Sequence, residues 1–218
     1  MRIEDLERLI GNLPDSPSLE GENEYFNSVV LILLIPQGDG YQLLFEKRAS
    51  GIRQGGEISF PGGQYDETDG SKEAAAIRET NEELGIPRER IKIIGQLDSV
   101  FAPMGALVDV FVGTSDMKLA DIRQNPVEVE RVFVLPVSYF EENPPEEYKV
   151  IVEVYPSYVD KNTGKEIVLL PSEKLGLPER YRKPWGGFRH KVFVYPTPEG
   201  TIWGITARIV RDFIKKLG

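Results

Sequence analysis

Hydrophobic and polar positions along the chain predict many strands and few helices. The apolar, β-branched run NSVVLILLIP, residues 27–36, is typical of a strand buried on both faces. Residues 37–40 form a Gly-containing turn signal, and YQLLFEKR then resumes a strand pattern. The two runs therefore predict a β-hairpin. Further strands are predicted in ERIKIIGQLDSVFA, LVDVFVG and VERVFVLPV.

Three segments instead repeat their apolar residues at helical spacing. Residues 3–12, IEDLERLIGN, predict a short amphipathic helix that leads into the first strand. Residues 71–84, SKEAAAIRETNEEL, predict a central helix, and residues 204–217, GITARIVRDFIKKL, carry a strong apolar stripe. We expect this last helix to pack on the sheet. Together the patterns predict an α/β fold, with a mixed central sheet between a central and a C-terminal helix.

The pattern indicates one domain over residues 1–218. Residues 1–24 form its lead-in helix and loop. Residues 141–189 are the least regular stretch, rich in Pro, Glu, Tyr and Lys, and we interpret them as an insertion on the core. The apolar runs VIVEVY and IVLL in that stretch make a homodimer a reasonable expectation.

Composition narrows the class of protein. The 218 residues carry a formal charge of −9, which gives no support for a nucleic-acid-binding surface. The chain contains no cysteine and a single histidine, His190, so thiolate chemistry and multi-histidine metal clusters are excluded. No run approaches about 18 apolar residues, and the N-terminal residues are too acidic for a signal peptide. A cytoplasmic protein with no membrane partner is the expectation.

Three carboxylates are crowded on the central helix. Glu79, Glu82 and Glu83 lie at i, i+3 and i+4, so they share one face. Like charges at this spacing destabilise a helix by a few tenths of a kcal/mol per pair. Hard divalent cations such as Mg²⁺ bind carboxylate oxygens and are commonly shared with substrate phosphates. The pattern therefore predicts a carboxylate metal site.

The residues around this helix resemble the Nudix box, G-x5-E-x7-R-E-U-x-E-E-x-G-U, where U is apolar. The matching positions are Gly63, Asp69, Arg78, Glu79, Thr80, Glu82, Glu83, Gly85 and Ile86. Two of them depart from the pattern. Asp69 stands where a glutamate is expected, one residue farther from the arginine, and Thr80 replaces an apolar residue.

The flanking segments resemble one subgroup of that family, the coenzyme A pyrophosphatases. EKRASGIRQGGEISFPGG, residues 46–63, is similar to the motif that precedes the box in this subgroup. The subgroup spacing GGxxDxxD also matches residues 62–69 and accommodates Asp69. Residues 125–140 and 202–210 resemble later subgroup segments.

The resemblance implies a Nudix α/β/α sandwich and a reaction. The reaction is hydrolysis of CoA or a CoA derivative to a phosphopantetheine product and adenosine 3′,5′-bisphosphate, with Mg²⁺ or Mn²⁺. Two alternatives stay open. One is another diphosphate substrate, such as ADP-ribose, a dinucleoside polyphosphate or a nucleoside triphosphate. The other is a non-catalytic domain that senses a nucleotide.

The resemblance also assigns roles around the metal. Glu79, Glu82 and Glu83 are implied as ligands, Glu82 being essential to turnover, with a backbone carbonyl of Gly62 or Gly63 as a further ligand. Arg78 is expected to orient a glutamate through a charge-assisted pair, for which bidentate and single hydrogen bonding both stay open, and not to contact substrate. Asp69 is expected to act from the loop, through hydrogen bonds that hold the box.

The general base and the phosphate-binding groups lie outside the box. Glu128 is the candidate base, with Glu130, predicted on the same strand face, as the fallback. Arg48 and Arg53 are candidates for phosphate recognition, since guanidinium groups suit phosphate oxygens. We expect His190 to be a packed or surface residue.

Overall fold

A computed structural model describes residues 3–14, 19–38 and 40–218. Within these ranges the α-helices are α1 (Ile3–Asn12), α2 (Lys72–Leu84), α3 (Val137–Glu142) and α4 (Gly204–Lys215). The first eight strands are β1 (Phe26–Gln37), β2 (Gly40–Arg48), β3 (Ile58–Ser59), β4 (Gly62–Gln64), β5 (Ile91–Gln96), β6 (Val100–Ala102), β7 (Ala106–Ser115) and β8 (Val129–Pro136). The later strands are β9 (Glu146–Val154), β10 (Ser157–Val159), β11 (Glu166–Val168), β12 (Trp185–Thr197) and β13 (Gly200–Trp203).

The eight-stranded sheet is mixed, as predicted. Its main path runs β3-β2-β1-β7-β5, while β4 pairs with β1, β6 with β7 and β8 with β2. Strands β1 and β7 are parallel, and the other pairs are antiparallel. The β1–β2 hairpin is confirmed, although Asp39 in its predicted turn lies outside the described residues.

Strand β1 is buried on both faces because its side chains alternate between two cores. Leu31 and Leu33 pack with Ala75 and Ala76 of α2 on one face. Ile32 and Leu34 pack on the other face with Ala207 and with three residues of the predicted α4 stripe, Ile209, Val210 and Phe213. One helix thus covers each face, which confirms the α/β/α sandwich.

Helix α2 spans Lys72–Leu84, in agreement with the helix predicted over residues 71–84. The Ser71 hydroxyl accepts a hydrogen bond from the Ala74 N–H at 3.1 Å, a standard N-cap. Gly85 ends the helix at φ +65°, a left-handed conformation that favours glycine. A Cβ at Gly85 would also lie only 2.6 Å from the Arg123 carbonyl oxygen. Backbone geometry therefore requires glycine at position 85 of the box.

Thr80 has a structural explanation. Its side chain is fully buried, and its hydroxyl donates to the Ala76 carbonyl, one turn earlier, at 2.7 Å. This local bond satisfies the hydroxyl. The rest of the side chain can therefore occupy the position of the apolar residue in the box pattern.

The stretch interpreted as an insertion is tied to the core by a second sheet. This sheet has the order β13-β12-β9, and β10 and β11 form a separate antiparallel pair. The stretch begins inside α3, and its strand β9 pairs with β12, which continues to Thr197. The interpretation as an insertion within one domain stays a prediction.

Two segments near the ends of the described chain leave apolar residues exposed. In α1, Leu6, Leu9 and Ile10 are 43%, 48% and 60% exposed, so the predicted helix forms without joining either core. Leu217 lies beyond the end of α4 and is 53% exposed. Among the described helices, none has the length and apolar character needed to cross a membrane.

Candidate active site

The turn after β3 brings backbone against the acidic face of α2. The Gly62 N–H donates a hydrogen bond to Glu83 Oε2 at 2.8 Å. A Cβ at Gly63 would lie 2.3 Å from the carboxyl carbon of Glu79, and one at Gly62 would lie 2.1 Å from the Val29 carbonyl oxygen. Both glycines are therefore needed for the close approach of the turn, the helix carboxylates and β1.

Arg78 lies at the centre of what we term the outer half of the site, which comprises Asp69, Arg78, Glu79 and Glu82. Its Nε and Nη2 donate to the two carboxylate oxygens of Asp69 at 2.5 and 3.0 Å. Its Nη1 donates to Glu79 at 2.8 Å and to Glu82 at 3.1 Å. The hydrogen bonds to Glu79 and Glu82 agree with the expectation that Arg78 orients a glutamate, but the bidentate pair is formed with another residue. Asp69 takes the bidentate position, and the glutamates receive single hydrogen bonds.

Asp69 also holds the loop that leads into α2. Its Oδ2 accepts from the Asp66 N–H at 3.0 Å, while Asp66 accepts from the Thr68 N–H at 2.8 Å. The hydrogen bond from Arg78 lowers the pKa of Asp69 below its ordinary value, so the carboxylate stays ionised. Asp69 therefore has geometry suited to fixing both the loop and Arg78, which accounts for its departure from the box pattern.

Two buried carboxylates form what we term the inner half of the site. Glu46 is fully buried and Glu83 is 3% exposed. Arg48 Nη1 lies 3.6 Å from Glu46 Oε1 and 3.8 Å from Glu83 Oε1, and the Ser59 hydroxyl donates to Glu46 at 3.1 Å. Glu46 Oε2 is buried without a hydrogen-bond partner. Arg48 is thus the cation placed between two acids.

The inner half carries more negative charge than its surroundings neutralise. Burial is the largest cause raising the pKa of Glu83, and the charge of Glu46 adds to it. Burial likewise raises the pKa of Glu46, while Arg48 lowers it in part. Burial also raises the pKa of Glu79, against the hydrogen bond from Arg78. Without a bound cation, these acids favour holding protons.

Glu46 was missed by the sequence reasoning, although a signal exists. Strand β2 alternates, so Glu46 shares a face with Leu44, which is fully buried. A charged residue in such a position is rarely buried without a function or a partner. Glu46 therefore joins the candidate site residues.

Glu128 and Glu130 differ in their surroundings. Glu128 lies in the turn before β8, where its carbonyl accepts from the Ala49 N–H at 2.8 Å. The charge of its carboxylate contributes to raising the pKa of Glu46 and of Glu79. Glu130 lies within β8 and forms an ion pair with Lys47 at 2.7 Å. The expectation that both occupy one strand face is wrong because Glu128 precedes the strand.

The two candidate arginines lie at different depths. Arg48 is next to the buried acids, and its Nε donates to the Arg53 carbonyl at 3.2 Å. The Arg53 side chain is exposed and lies 5.2 Å over the Phe26 ring. His190 lies on β12, in the other sheet, in edge contact with Phe188. Its surroundings match the expectation of a packed or surface histidine.

An open cleft of about 580 Å³ lies beside the outer half. The polar residues that line it include Gln64, Asp66, Thr68, Arg78, Glu79 and Arg88. Its walls thus combine the two arginines with the carboxylates. Such a mixture suits a ligand that is anionic and bound together with a cation.

The donor set fits a divalent cation, although the described residues contain no ready-made cage of three His, Cys, Asp or Glu side chains. Glu46 has an unpartnered buried oxygen, and the Gly63 backbone leaves room at the Glu79 carboxylate that a Cβ would fill. All candidate ligands are hard oxygen donors, which Mg²⁺ and Mn²⁺ prefer. A cation here would offset the negative charge of the inner half.

Comparison with known proteins identifies the family. The NUDIX domain model matches residues 25–158, so the chain belongs to the Nudix hydrolases, pyrophosphohydrolases that act on phosphoric anhydrides. Members of this family generally need divalent metal ions.

The similarity to individual relatives extends beyond the residues of the box. The uncharacterized Nudix hydrolase NudL of Photorhabdus laumondii is 28% identical over 207 residues, covering 94% of this chain and 91% of the relative. The peroxisomal coenzyme A diphosphatase NUDT7 of Mus musculus is 34% identical over 112 residues, covering 51% of this chain and 47% of the relative. Among solved structures, the M. smegmatis Nudix hydrolase RenU aligns over 54% of this chain and 74% of its own, with 21% identity and a TM-score of 0.46.

Proposed function

We propose that this Nudix hydrolase cleaves the diphosphate of CoA or of a CoA derivative. The products are a phosphopantetheine compound and adenosine 3′,5′-bisphosphate. The similarity to the mouse coenzyme A diphosphatase over 112 residues carries the proposal. The subgroup motif of residues 46–63, which contains both Glu46 and Arg48, supports it.

We propose Glu79, Glu82 and Glu83 as ligands of Mg²⁺ or Mn²⁺, together with a backbone carbonyl of Gly62 or Gly63. When bound, the cation screens the phosphate charge and lowers the pKa of the attacking water. The hydrogen bond from the Gly62 N–H to Glu83 fixes one of these carboxylates against the turn. Arg78 orients Glu79 and Glu82 through the hydrogen bonds that its Nη1 donates to both.

Arg48 is the group proposed to bind a substrate phosphate. The Arg48 side chain is 22% exposed, and its Nη1 lies 3.6 Å from the Glu46 carboxylate and 3.8 Å from the Glu83 carboxylate. These distances are longer than charge-assisted hydrogen bonds, so the guanidinium retains donors for a phosphate. Arg53 then extends the positive charge to the exposed rim. The two arginines offset the acidic balance of the chain where the anionic substrate binds.

Glu128 is the proposed general base, and Glu130 is the fallback. Water adds to one phosphorus of the diphosphate, and the bridging P–O bond on that phosphorus breaks. The proton of the water passes to the Glu128 carboxylate, and the bridging oxygen leaves with the other phosphate. Glu130 is less available because Lys47 already neutralises it at 2.7 Å.

A panel of diphosphate substrates, assayed with Mg²⁺ and with Mn²⁺, tests the proposal. CoA, ADP-ribose, a dinucleoside polyphosphate and a nucleoside triphosphate are compared by kcat/KM. Hydrolysis of CoA in ¹⁸O-labelled water, followed by mass spectrometry of both products, then locates the attacked phosphorus. We expect CoA or an acyl-CoA to be the best substrate.

Two outcomes would contradict the proposal in different ways. Turnover of ADP-ribose at least as fast as that of CoA would support the hydrolase activity and reject the proposed specificity for CoA. Tight nucleotide binding without hydrolysis, with either metal present, would instead indicate a sensing domain.

A further inference from the structure

Strand β9 is a long edge strand that the rest of the described chain leaves uncovered. It lies at the end of the sheet β13-β12-β9. Every residue of Glu146–Val154 is exposed except Val152, which is half-buried. Apolar residues on both of its faces reach water, with Tyr148 54% and Ile151 68% exposed. Eight exposed residues with this composition are unusual for a free sheet edge.

The outer backbone edge of β9 is also unpaired. Its ladder to β12 uses only one edge of the strand. Outside that ladder, no backbone hydrogen bond of the described residues involves Glu146–Val154. The strand contains no proline, and its pairing with β12 is irregular only near Trp185 and Phe188 of the partner strand. Proline and bulges, which protect many sheet edges, are thus missing from β9.

The charges on β9 are only partly balanced within the chain. Glu147 forms an ion pair with Lys191 at 3.0 Å. Lys149 lies directly opposite Lys191, so like charges face each other there. Within residues 3–14, 19–38 and 40–218, neither Lys149 nor Glu153 has an ion-pair partner. The Glu153 carboxylate accepts only from the Tyr155 hydroxyl, at 3.1 Å.

We infer that β9 pairs in antiparallel fashion with β9 of a second copy of this chain, with Ile151 opposite its own copy. In such a pair, two opposite residues either both point their N–H and C=O groups across the interface or both point them away, so even-numbered residues of β9 face even-numbered ones. The register centred on Ile151 places Lys149 opposite Glu153 in both directions. It also places Val150 opposite Val152. Both unpaired charges therefore acquire partners, and the apolar positions acquire apolar neighbours.

The neighbouring registers are less favourable. Centring the pair on Val150 sets Glu147 opposite Glu153, and centring it on Lys149 sets the two lysines against each other. Centring it on Tyr148 would pair Lys149 with Glu147, which Lys191 already neutralises. That last register also shortens the overlap of the two strands. Charge complementarity thus selects the register centred on Ile151.

The first test uses single cysteines, which the chain otherwise lacks. Opposite residues in an antiparallel pair have Cα atoms about 4.5–5.5 Å apart, within the roughly 4.4–6.8 Å range of disulfides. Ile151→Cys should therefore form a covalent dimer on mild oxidation. Val150→Cys is the matched control, because diagonal neighbours lie about 7–8 Å apart. Non-reducing electrophoresis measures both variants.

The second test exchanges charges in the full-length protein. Light scattering coupled to size exclusion should give twice the mass of the 24.6 kDa chain. Lys149→Glu and Glu153→Lys, made separately, should each raise the dimer Kd by about tenfold or more, since two opposite-charge pairs become like-charge pairs. The double variant should restore the dimer. Lys165→Glu, outside β9, serves as the charge control.

These experiments can overturn the inference without reference to catalysis. A wild-type monomer at all accessible concentrations would reject the dimer. A dimer whose Ile151→Cys variant oxidises no faster than Val150→Cys, or whose double charge variant is not restored, would reject this register. CoA turnover decides the proposed function separately.

Discussion

In the outer half of the active site, three carboxylates surround Arg78 at hydrogen-bond distance, whereas in the inner half Glu46 and Glu83 share Arg48 at 3.6 and 3.8 Å. The outer half is partly exposed and its arginine is saturated with acceptors. The inner half is buried, and one of its oxygens has no partner. The outer arrangement is therefore suited to fixing geometry, while the inner arrangement requires protons or a cation for charge balance.

The largest effect is expected from the carboxylates assigned to the metal. Glu83→Gln and Glu82→Gln should each lower kcat by more than the roughly hundredfold loss typical of residues in a metal's outer shell. The fold should survive, because an amide oxygen at position 83 can still accept from the Gly62 N–H. Steady-state kinetics and circular dichroism measure the two quantities. Glu73→Gln, an exposed residue in the first turn of α2, should be neutral. Near-normal turnover in either main variant would remove that residue from the metal site.

Replacement of Asp69, which fixes Arg78 in the outer half of the site, should have a smaller effect. Asp69→Asn replaces the carboxylate whose two oxygens accept hydrogen bonds from Arg78. The Arg78 side chain should then be fixed less firmly, and it should orient Glu79 and Glu82 less well. We expect a decrease of about 10- to 100-fold in metal affinity or kcat. Metal titration by calorimetry and kinetics check this. Glu67→Gln, in the same turn and exposed, is the matched control. Equal effects of the two variants would contradict the anchoring role.

The inner half predicts a link between pH, metal and stability. Because the pKa values of Glu46 and Glu83 are raised above 4.5, the folded protein holds more protons there than the unfolded chain does. These groups should thus make the metal-free protein less stable as pH rises above 4.5 towards the raised values. A divalent cation replaces those protons, so the rise in Tm that it causes should grow with pH.

Thermal unfolding at about pH 6 and about pH 8.5, with and without Mn²⁺, measures this link. The Glu46→Gln/Glu83→Gln double variant should lose most of the metal-free pH dependence. A metal-induced rise in Tm that is the same at both pH values would show that the inner acids do not exchange protons for metal.

The smallest effect is expected at Thr80, which belongs to neither half. Thr80→Val keeps the shape of the side chain and removes a hydroxyl bonded only to the Ala76 carbonyl. The free energy of unfolding should change by about 1 kcal/mol or less, and kcat should be unchanged. Chemical denaturation and kinetics check both. A tenfold loss of kcat would instead indicate that the hydroxyl acts within the site.

Sequence reasoning was most successful where the signal is local. The β1–β2 hairpin, the span of α2 and the buried stripe of α4 follow from periodicity and turn residues. The box assigned the family, and its glycines proved to be sites of close backbone approach. These features depend on residues near one another in the chain, so they can be predicted without tertiary contacts.

The features that the sequence did not predict depend on residues far apart in the chain. The stripes of α1 and α4 have the same amphipathic pattern, yet Leu9 is exposed and Ile209 is buried. Periodicity shows that a face needs covering and does not show what covers it. Likewise, the pattern placed Asp69 in the loop but did not show that it accepts two hydrogen bonds from Arg78, a contact that the folded loop creates.

The sequence by itself determined the family, the mixed α/β class and the acidic helix that carries the site. Tertiary structure alone decided which carboxylates are buried together. Glu46 and Glu83 are far apart in the chain, and only the pairing of β2 and the packing of α2 bring Arg48 between them. The pKa of a carboxylate depends on burial and on the charges around it. Both are set by residues distant in sequence.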